Sequence, residues 1–184
     1  MGVVNFRRQK EFVKAVAQAL NFGERATRAS LVVYSGTTTR VTNFDSHKTL
    51  GQFKNVVDAA QYLRGGRRVD RALTDAARLL SRARPAIPKV TVLITSGRRD
   101  SGTPLREVSR QLERYGVRSF VVTIGVLPDL KDYLVLSKEP DIFEIQSFVD
   151  LPGIQKSFSQ HIISSFGKWF CPLYSTITRN MIGL

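Results

Sequence analysis

Apolar residues recur along this chain with two different periods. Val4, Phe6, Phe12, Val13, Val16, Ala17 and Leu20 fall at helical spacing, with Arg7, Arg8, Lys10, Lys14 and Gln18 between them. This predicts an amphipathic helix closed by Asn21-Phe22-Gly23. Leu31 to Tyr34 is a short apolar run ending at Ser35-Gly36, which reads as a buried strand. The alternating, β-branched stretch from Thr37 to Phe44 then predicts its hairpin partner. Ser46 is expected to cap a helix carrying Leu50, Phe53, Val56, Val57, Ala60 and Leu63, ended by Arg64-Gly65-Gly66.

The second half repeats the alternation. Val69, Leu73, Ala76, Ala77 and Leu80 form a helical stripe that stops before Pro85. Val90 to Ile94 is continuously apolar and ends at Thr95-Ser96-Gly97. Pro104 suits the first turn of a helix reading to Tyr115, and Val117 to Ile124 is another apolar strand. A short helix over 130–136, a short strand over 142–145 and a helix from Asp150 to about Phe166 follow. Strands without alternation are buried on both faces, as in a parallel sheet covered by helices. The predicted fold is therefore α/β, an open, doubly wound, mostly parallel sheet with one early hairpin. The expected domain covers 1–166. Residues 167–184 are set apart as a tail, because Trp169, Phe170, Leu173, Tyr174 and Ile177 show no clear period.

Composition narrows the function classes. A chain of 184 residues with 42% hydrophobic residues suits one globular domain. No apolar run is long enough for a membrane-spanning helix, and the first residues show no signal peptide. Cys171, the single cysteine, has no internal partner for a disulfide and reads as a small hydrophobe. Charge changes the picture most. There are 28 Lys and Arg against 15 Asp and Glu, a formal net charge of +13. The excess lies entirely in residues 1–128, and arginine outnumbers lysine 19 to 9. Arg binds carboxylate, sulfate and phosphate bidentately, so the excess suits an anionic partner.

Several short segments, in order, resemble the von Willebrand factor type A domain, the adhesion module of matrix proteins, collagens and integrins. Gly2 to Phe6 with Phe12-Val13 is similar to the family's first helix. Val32 to Ser35, Phe44 with Leu50, and Tyr62 to Gly66 leading into Ala72-Leu73 follow. Pro88-Lys89-Val90 through Thr95, then Gly97-Arg98, resemble the fourth strand and its loop. Gly116-Val117, Ile124-Gly125-Val126 and the step from Phe143 to Leu151-Pro152 complete the likeness over residues 2–166. The resemblance implies a sheet of order 3-2-1-4-5-6 with the first strand at its centre. It also implies a metal-dependent adhesion site built from D-x-S-x-S, a Thr after the Gly-Gly step and an Asp after the fourth strand.

The sequence departs from that site at all three places. The chain begins where D-x-S-x-S has already passed, Arg67 stands at the Thr position and Ser96 at the Asp position. A guanidinium cannot ligate a cation, so no metal and no cofactor is expected here. The absent first strand leaves two possibilities: the chain starts downstream of that strand within a longer protein, or the flanking strands close up directly. The first is favoured, since the chain begins just after the missing motif. The family's flanking cysteines imply an upstream partner for Cys171.

Arg67 and Arg68 lie at a helix start, and Arg98 and Arg99 lie in the loop after strand Val90–Ile94. Ligands of open α/β sheets gather at this edge, so the four arginines are the candidate anion-binding residues. Arg106, Arg110, Arg114 and Arg118 step by four and are expected as a second stripe on one helix. With few aromatics among these bases, the partner class is an acidic protein or sulfated glycosaminoglycan rather than nucleic acid. No catalytic residues emerge: His47 and His161 read as cap or surface residues, Asp129, Asp132, Asp141 and Glu144 as capping or surface charges. Gly65-Gly66 lacks the Lys-Ser/Thr of a phosphate loop. The expected function is non-enzymatic: an extracellular-matrix-type adhesion domain, secreted by family analogy, binding a matrix or cell-surface protein or polyanion without metal. The alternative is an intracellular scaffold or nucleic-acid-associated module of the same fold.

Overall fold

The computed structural model describes residues 2–23, 26–36, 39–84, 87–126, 130–166 and 179–183. Helix α1 (Val3–Ala19) buries Phe6, Phe12, Val13, Val16 and Ala17, the stripe the sequence predicts. Strand β1 (Thr27–Tyr34) starts earlier than its apolar run, because Thr27, Ala29 and Ser30 are also buried. It pairs antiparallel with β2 (Thr39–Val41), forming the expected hairpin. Helix α2 (Leu50–Ala59) is capped by Thr49 rather than Ser46, which falls in a single 3-10 turn, Phe44–Ser46. The Thr49 hydroxyl accepts from Gln52 N at 3.2 Å, and the Gln52 amide reaches back to Thr49 N. Two orphan donors of the helix start are thereby satisfied.

The remaining elements alternate as predicted. Helix α3 (Val69–Ser81) precedes β3 (Lys89–Ser96), and α4 (Leu105–Arg114) precedes β4 (Val117–Ile124). A single turn, α5 (Leu130–Tyr133), leads to β5 (Ile142–Ile145), and α6 (Leu151–Ser164) follows. The last element is β6 (Arg179–Gly183), which lies in the segment expected as a tail. Cys171, Trp169, Phe170, Leu173, Tyr174, Ile177 and Asp129 lie outside the described residues.

Six strands form one sheet in the order β2-β1-β6-β3-β4-β5, all parallel except β2. This is the order implied by the resemblance, with β6 standing where the family's first strand would lie. Direct closure of the flanking strands is thus corrected: β1 and β3 each pair with β6. Thr27–Leu31 match Arg179–Gly183 on one side, and Lys89–Val92 match Asn180–Gly183 on the other. The physical reason is the cost of two buried, unpaired strand edges, about 1–3 kcal/mol for each orphaned group. A parallel strand from anywhere in the chain can supply the missing donors and acceptors.

Side chains alternate across the sheet into two cores. Val33, Val90, Val92, Ile94, Phe120 and Val122 pack with α1, α2 and α6. Val32, Leu93, Val117 and Val121 pack with α3, α4 and Tyr133 of α5. Arg118 corrects the predicted arginine stripe. It lies on β4 beyond the Gly116 turn (φ 67°), leaving Arg106, Arg110 and Arg114 on the exposed face of α4. Its guanidinium grips Asp141 through two bonds, at 2.6 and 2.8 Å, and His161 Nε2 meets the same carboxylate at 2.7 Å. Asp141 and His161 are therefore a tie between β5 and α6, not surface groups. His47, also expected near the surface, is buried, bonded to the Ala29 carbonyl and stacked obliquely on Phe53. Burial holds its pKa below the usual imidazole value, partly offset by that carbonyl.

β6 is flanked on both sides, with Asn180–Gly183 in register with both β1 and β3. Met181→Pro should remove a bonded donor at a cost of at least about 2 kcal/mol. For a chain of this size that is about 4–8 °C in Tm. A shift below about 2 °C by calorimetry would contradict the central placement of β6.

Candidate functional site

The C-terminal ends of β1 and β3 converge with the loop before α3, and three glycines let the backbones meet. A Cβ on Gly36 would lie 2.9 Å from Gly66 N, and one on Gly66 would lie 1.8 Å from Asp100 Oδ2. Gly65 has φ +124°, a conformation side chains rarely adopt. The Gly-Gly step thus makes room for a carboxylate rather than cradling a phosphate.

Asp100 clasps Arg67 by its backbone. Its Oδ2 accepts from Arg67 N at 2.8 Å, and its own N–H donates to Arg67 O at 3.0 Å. Neither bond touches the Arg67 guanidinium. That group lies against Gly97, where a Cβ would be 3.4 Å away, and Nη1 donates to Arg98 O at 3.4 Å. Arg98 is exposed.

Arg68 and Arg99 are differently placed from their neighbours. Arg68 forms a two-pronged pair with buried Asp70, Nε to Oδ1 at 2.8 Å and Nη2 to Oδ2 at 2.6 Å. Asp70 also accepts from Thr103 N at 3.0 Å, pinning the loop before α4 to the start of α3. Burial pushes the Asp70 carboxyl up, but the Arg68 guanidinium and the Thr103 amide hold it below the usual carboxylate range. Arg99 pairs with Asp132 of α5 at 3.0 Å through Nε and 2.8 Å through Nη2. Of the four predicted arginines, two therefore hold carboxylates of the fold, and among the described residues the guanidinium groups of Arg67 and Arg98 hold none. Sequence reasoning missed the Arg99–Asp132 and Asp100–Arg67 contacts because each joins residues 33 positions apart.

Between β1 and β3, above the end of β6, a cleft opens beside Arg67. Its walls include Phe6 and Gln9 of α1, Val33 and Tyr34 of β1, and Ile94 and Ser96 of β3. The Tyr34 hydroxyl reaches across it to Ile94 O at 3.4 Å. Burial raises the Tyr34 pKa, and the Thr95 hydroxyl and the Arg67 charge offset this only in part.

The oxygen atoms described at this edge are few. Ser96 offers one neutral hydroxyl oxygen, Asp100 Oδ2 accepts the Arg67 N–H, and the Arg67 guanidinium brings positive charge beside Gly97. Among the described residues no group of three His, Cys, Asp or Glu is placed to hold a metal ion.

The family model for the von Willebrand factor type A domain matches residues 1–157. The chain belongs to this family. It is 25% identical, over 88% of its length, to von Willebrand factor A domain-containing protein 2 of Xenopus laevis. It is 24% identical to mouse matrilin-1 over 98% of its length, and 32% identical to bovine von Willebrand factor A domain-containing protein 1 over 65%. It spans 21%, 41% and 30% of those relatives, respectively. Proximal thread matrix protein 1 from the mussel byssus, solved with a zinc-occupied metal-ion-dependent adhesion motif, has the same fold. The TM-score is 0.77 at 18% identity, covering 85% of this chain and 40% of that one.

The Asp70 pair sets a pH dependence. A carboxyl whose folded pKa is depressed contributes stability above its unfolded pKa of about 4 and loses it as pH falls through the folded value. Stability should therefore drop below about pH 4 more steeply in the native chain than in Asp70→Asn, measured by urea unfolding. Equal slopes would contradict a depressed Asp70.

Proposed function

We propose that this domain is a non-enzymatic interaction module of a secreted, matrix-type protein. It binds an anionic partner without metal, at the edge where β1 and β3 end. The observation that carries this reading is the Arg67 guanidinium, which lies against Gly97 with no carboxylate on it among the described residues. Arg98 stands beside it, exposed. Arg68 and Arg99 support the edge by fixing Asp70 and Asp132, so the binding pair narrows from four arginines to Arg67 and Arg98. An acidic protein surface or a sulfated glycosaminoglycan supplies the matching groups. Secretion and a matrix partner are carried over from relatives such as matrilin-1 and from the byssal matrix protein. No helix among the described residues is long and apolar enough to cross a membrane.

The α4 row, Arg106, Arg110 and Arg114, provides the control. Arg67→Glu with Arg98→Glu should lower the salt needed to elute the domain from heparin more than Arg106→Glu with Arg114→Glu. Equal losses would show that retention follows net charge alone. Saturating Mg²⁺ or Mn²⁺ should leave both elution and Tm unchanged; a rise in Tm with either ion would contradict metal independence.

A further inference from the structure

Helix α4 turns a charged face toward α3. Leu105, Val108, Ser109 and Leu112 are its buried residues. Glu107, Arg110 and Arg114 are exposed, and Gln111 is half-buried. Glu107, Arg110, Gln111 and Arg114 stand at i, i+3, i+4 and i+7, so they share one face of the helix. That face lines a groove together with Thr74 of α3 and Thr103, just ahead of α4. The groove has a volume of about 820 Å³ including its open mouth.

The charges in this groove are left without partners. Arg68, Arg78, Arg99 and Arg118 each hold a carboxylate of the fold. Among the described residues Arg110 and Arg114 hold none, and the Glu107 carboxylate meets no cation. From α3 the groove receives Thr74, whose hydroxyl already donates to Asp70 O at 2.8 Å. Like charges four residues apart on a helix destabilise it, so a partner that brings carboxylates to Arg110 and Arg114 relieves a standing repulsion.

We propose that the α3–α4 groove docks a helical segment of a partner protein, with two carboxylates on Arg110 and Arg114 and one basic residue on Glu107. Charge complementarity decides the occupant. A sulfated polysaccharide presents one sign only and meets Glu107 as repulsion, whereas a protein segment places both signs. Two helices side by side leave a groove that takes a third at an axial distance of about 8–10 Å. Four residues of helix rise about 6 Å, so partner carboxylates at i and i+4 step at the spacing of Arg114 and Arg110. On an antiparallel helix, a Lys at i+7 then reaches Glu107. The site shares no residue with the Arg67–Arg98 pair and does not depend on it.

The probe is a fluorescein-labelled, alanine-based helical peptide of 18 residues with Glu, Glu and Lys at i, i+4 and i+7. It is titrated with the whole chain by fluorescence anisotropy. Its counterpart has the same composition with Glu, Glu and Lys at i, i+2 and i+5, which puts the two carboxylates on opposite faces. The face-matched peptide should bind at least tenfold more tightly, and Arg110→Gln with Arg114→Gln should erase the difference. Glu107→Gln should weaken the matched peptide yet strengthen retention on heparin, since it removes the partner of Lys and a repelling charge at once. No binding at about 1 mM, equal binding of the two peptides, or unchanged binding in Arg110→Gln with Arg114→Gln overturns helix docking. A groove that fails to bind the peptide, yet loses more heparin retention with Arg110→Gln and Arg114→Gln than the edge does with Arg67→Gln and Arg98→Gln, belongs to a polyanion instead. Failure of the peptide leaves the Arg67 edge standing, because heparin retention tests that edge separately.

Discussion

The backbone of a central strand must find partners on both sides, and this fold depends on how that demand is met. β1 and β3 are buried in the middle of the sheet, and each turns one edge toward the same gap. Five residues of β6 close the lower part of it by pairing with both. With that strand in place, α1, α2 and α6 can cover one face and α3, α4 and α5 the other. The strand ends then converge at the edge where Arg67 and Arg98 lie. Remove β6, and the sheet divides into a hairpin and a three-stranded piece joined only by loops and helices.

The same constraint shapes the candidate site. At the C-terminal ends of β1 and β3 a cleft lies beside Arg67. The loops around it are held by carboxylates: Asp100 on the Arg67 backbone, Asp70 on Arg68 and Thr103, Asp132 on Arg99. Two of the four arginines at this edge, Arg68 and Arg99, are thereby spent on architecture. A buried Arg–Asp pair with satisfied hydrogen bonds fixes geometry more than it adds stability. That division of labour singles out Arg67 and Arg98 within a chain whose +13 charge is otherwise spread widely.

The elements were legible wherever a single period governed a segment. Val90–Ile94 and Val117–Ile124 are continuously apolar, and burial on both faces of a parallel sheet makes them so. Arg118 was misplaced because the four-residue step carries across Gly116, where helix becomes strand. Ser46 has the residue type of a cap, but Thr49, with Gln52 three residues on, has the full capping box. β6 could not be read at all. Arg-Asn-Met-Ile-Gly has neither alternation nor a long apolar run, and its place is set by the vacancy between two other strands. The closeness of Arg67 to the Gly97-Arg98 loop was legible from order and spacing. Their carboxylate neighbours were not, because long-range pairs leave no local pattern.

Amide hydrogen exchange across residues 179–183 tests the central claim most directly. With β6 at the middle of the sheet, the amides of Asn180, Met181 and Ile182 should exchange as slowly as those of Val92 and Val121. They should open only with global unfolding. Exchange near the rate of an unstructured chain, while Val92 and Val121 stay protected, would contradict the account and leave the centre of the sheet to another strand.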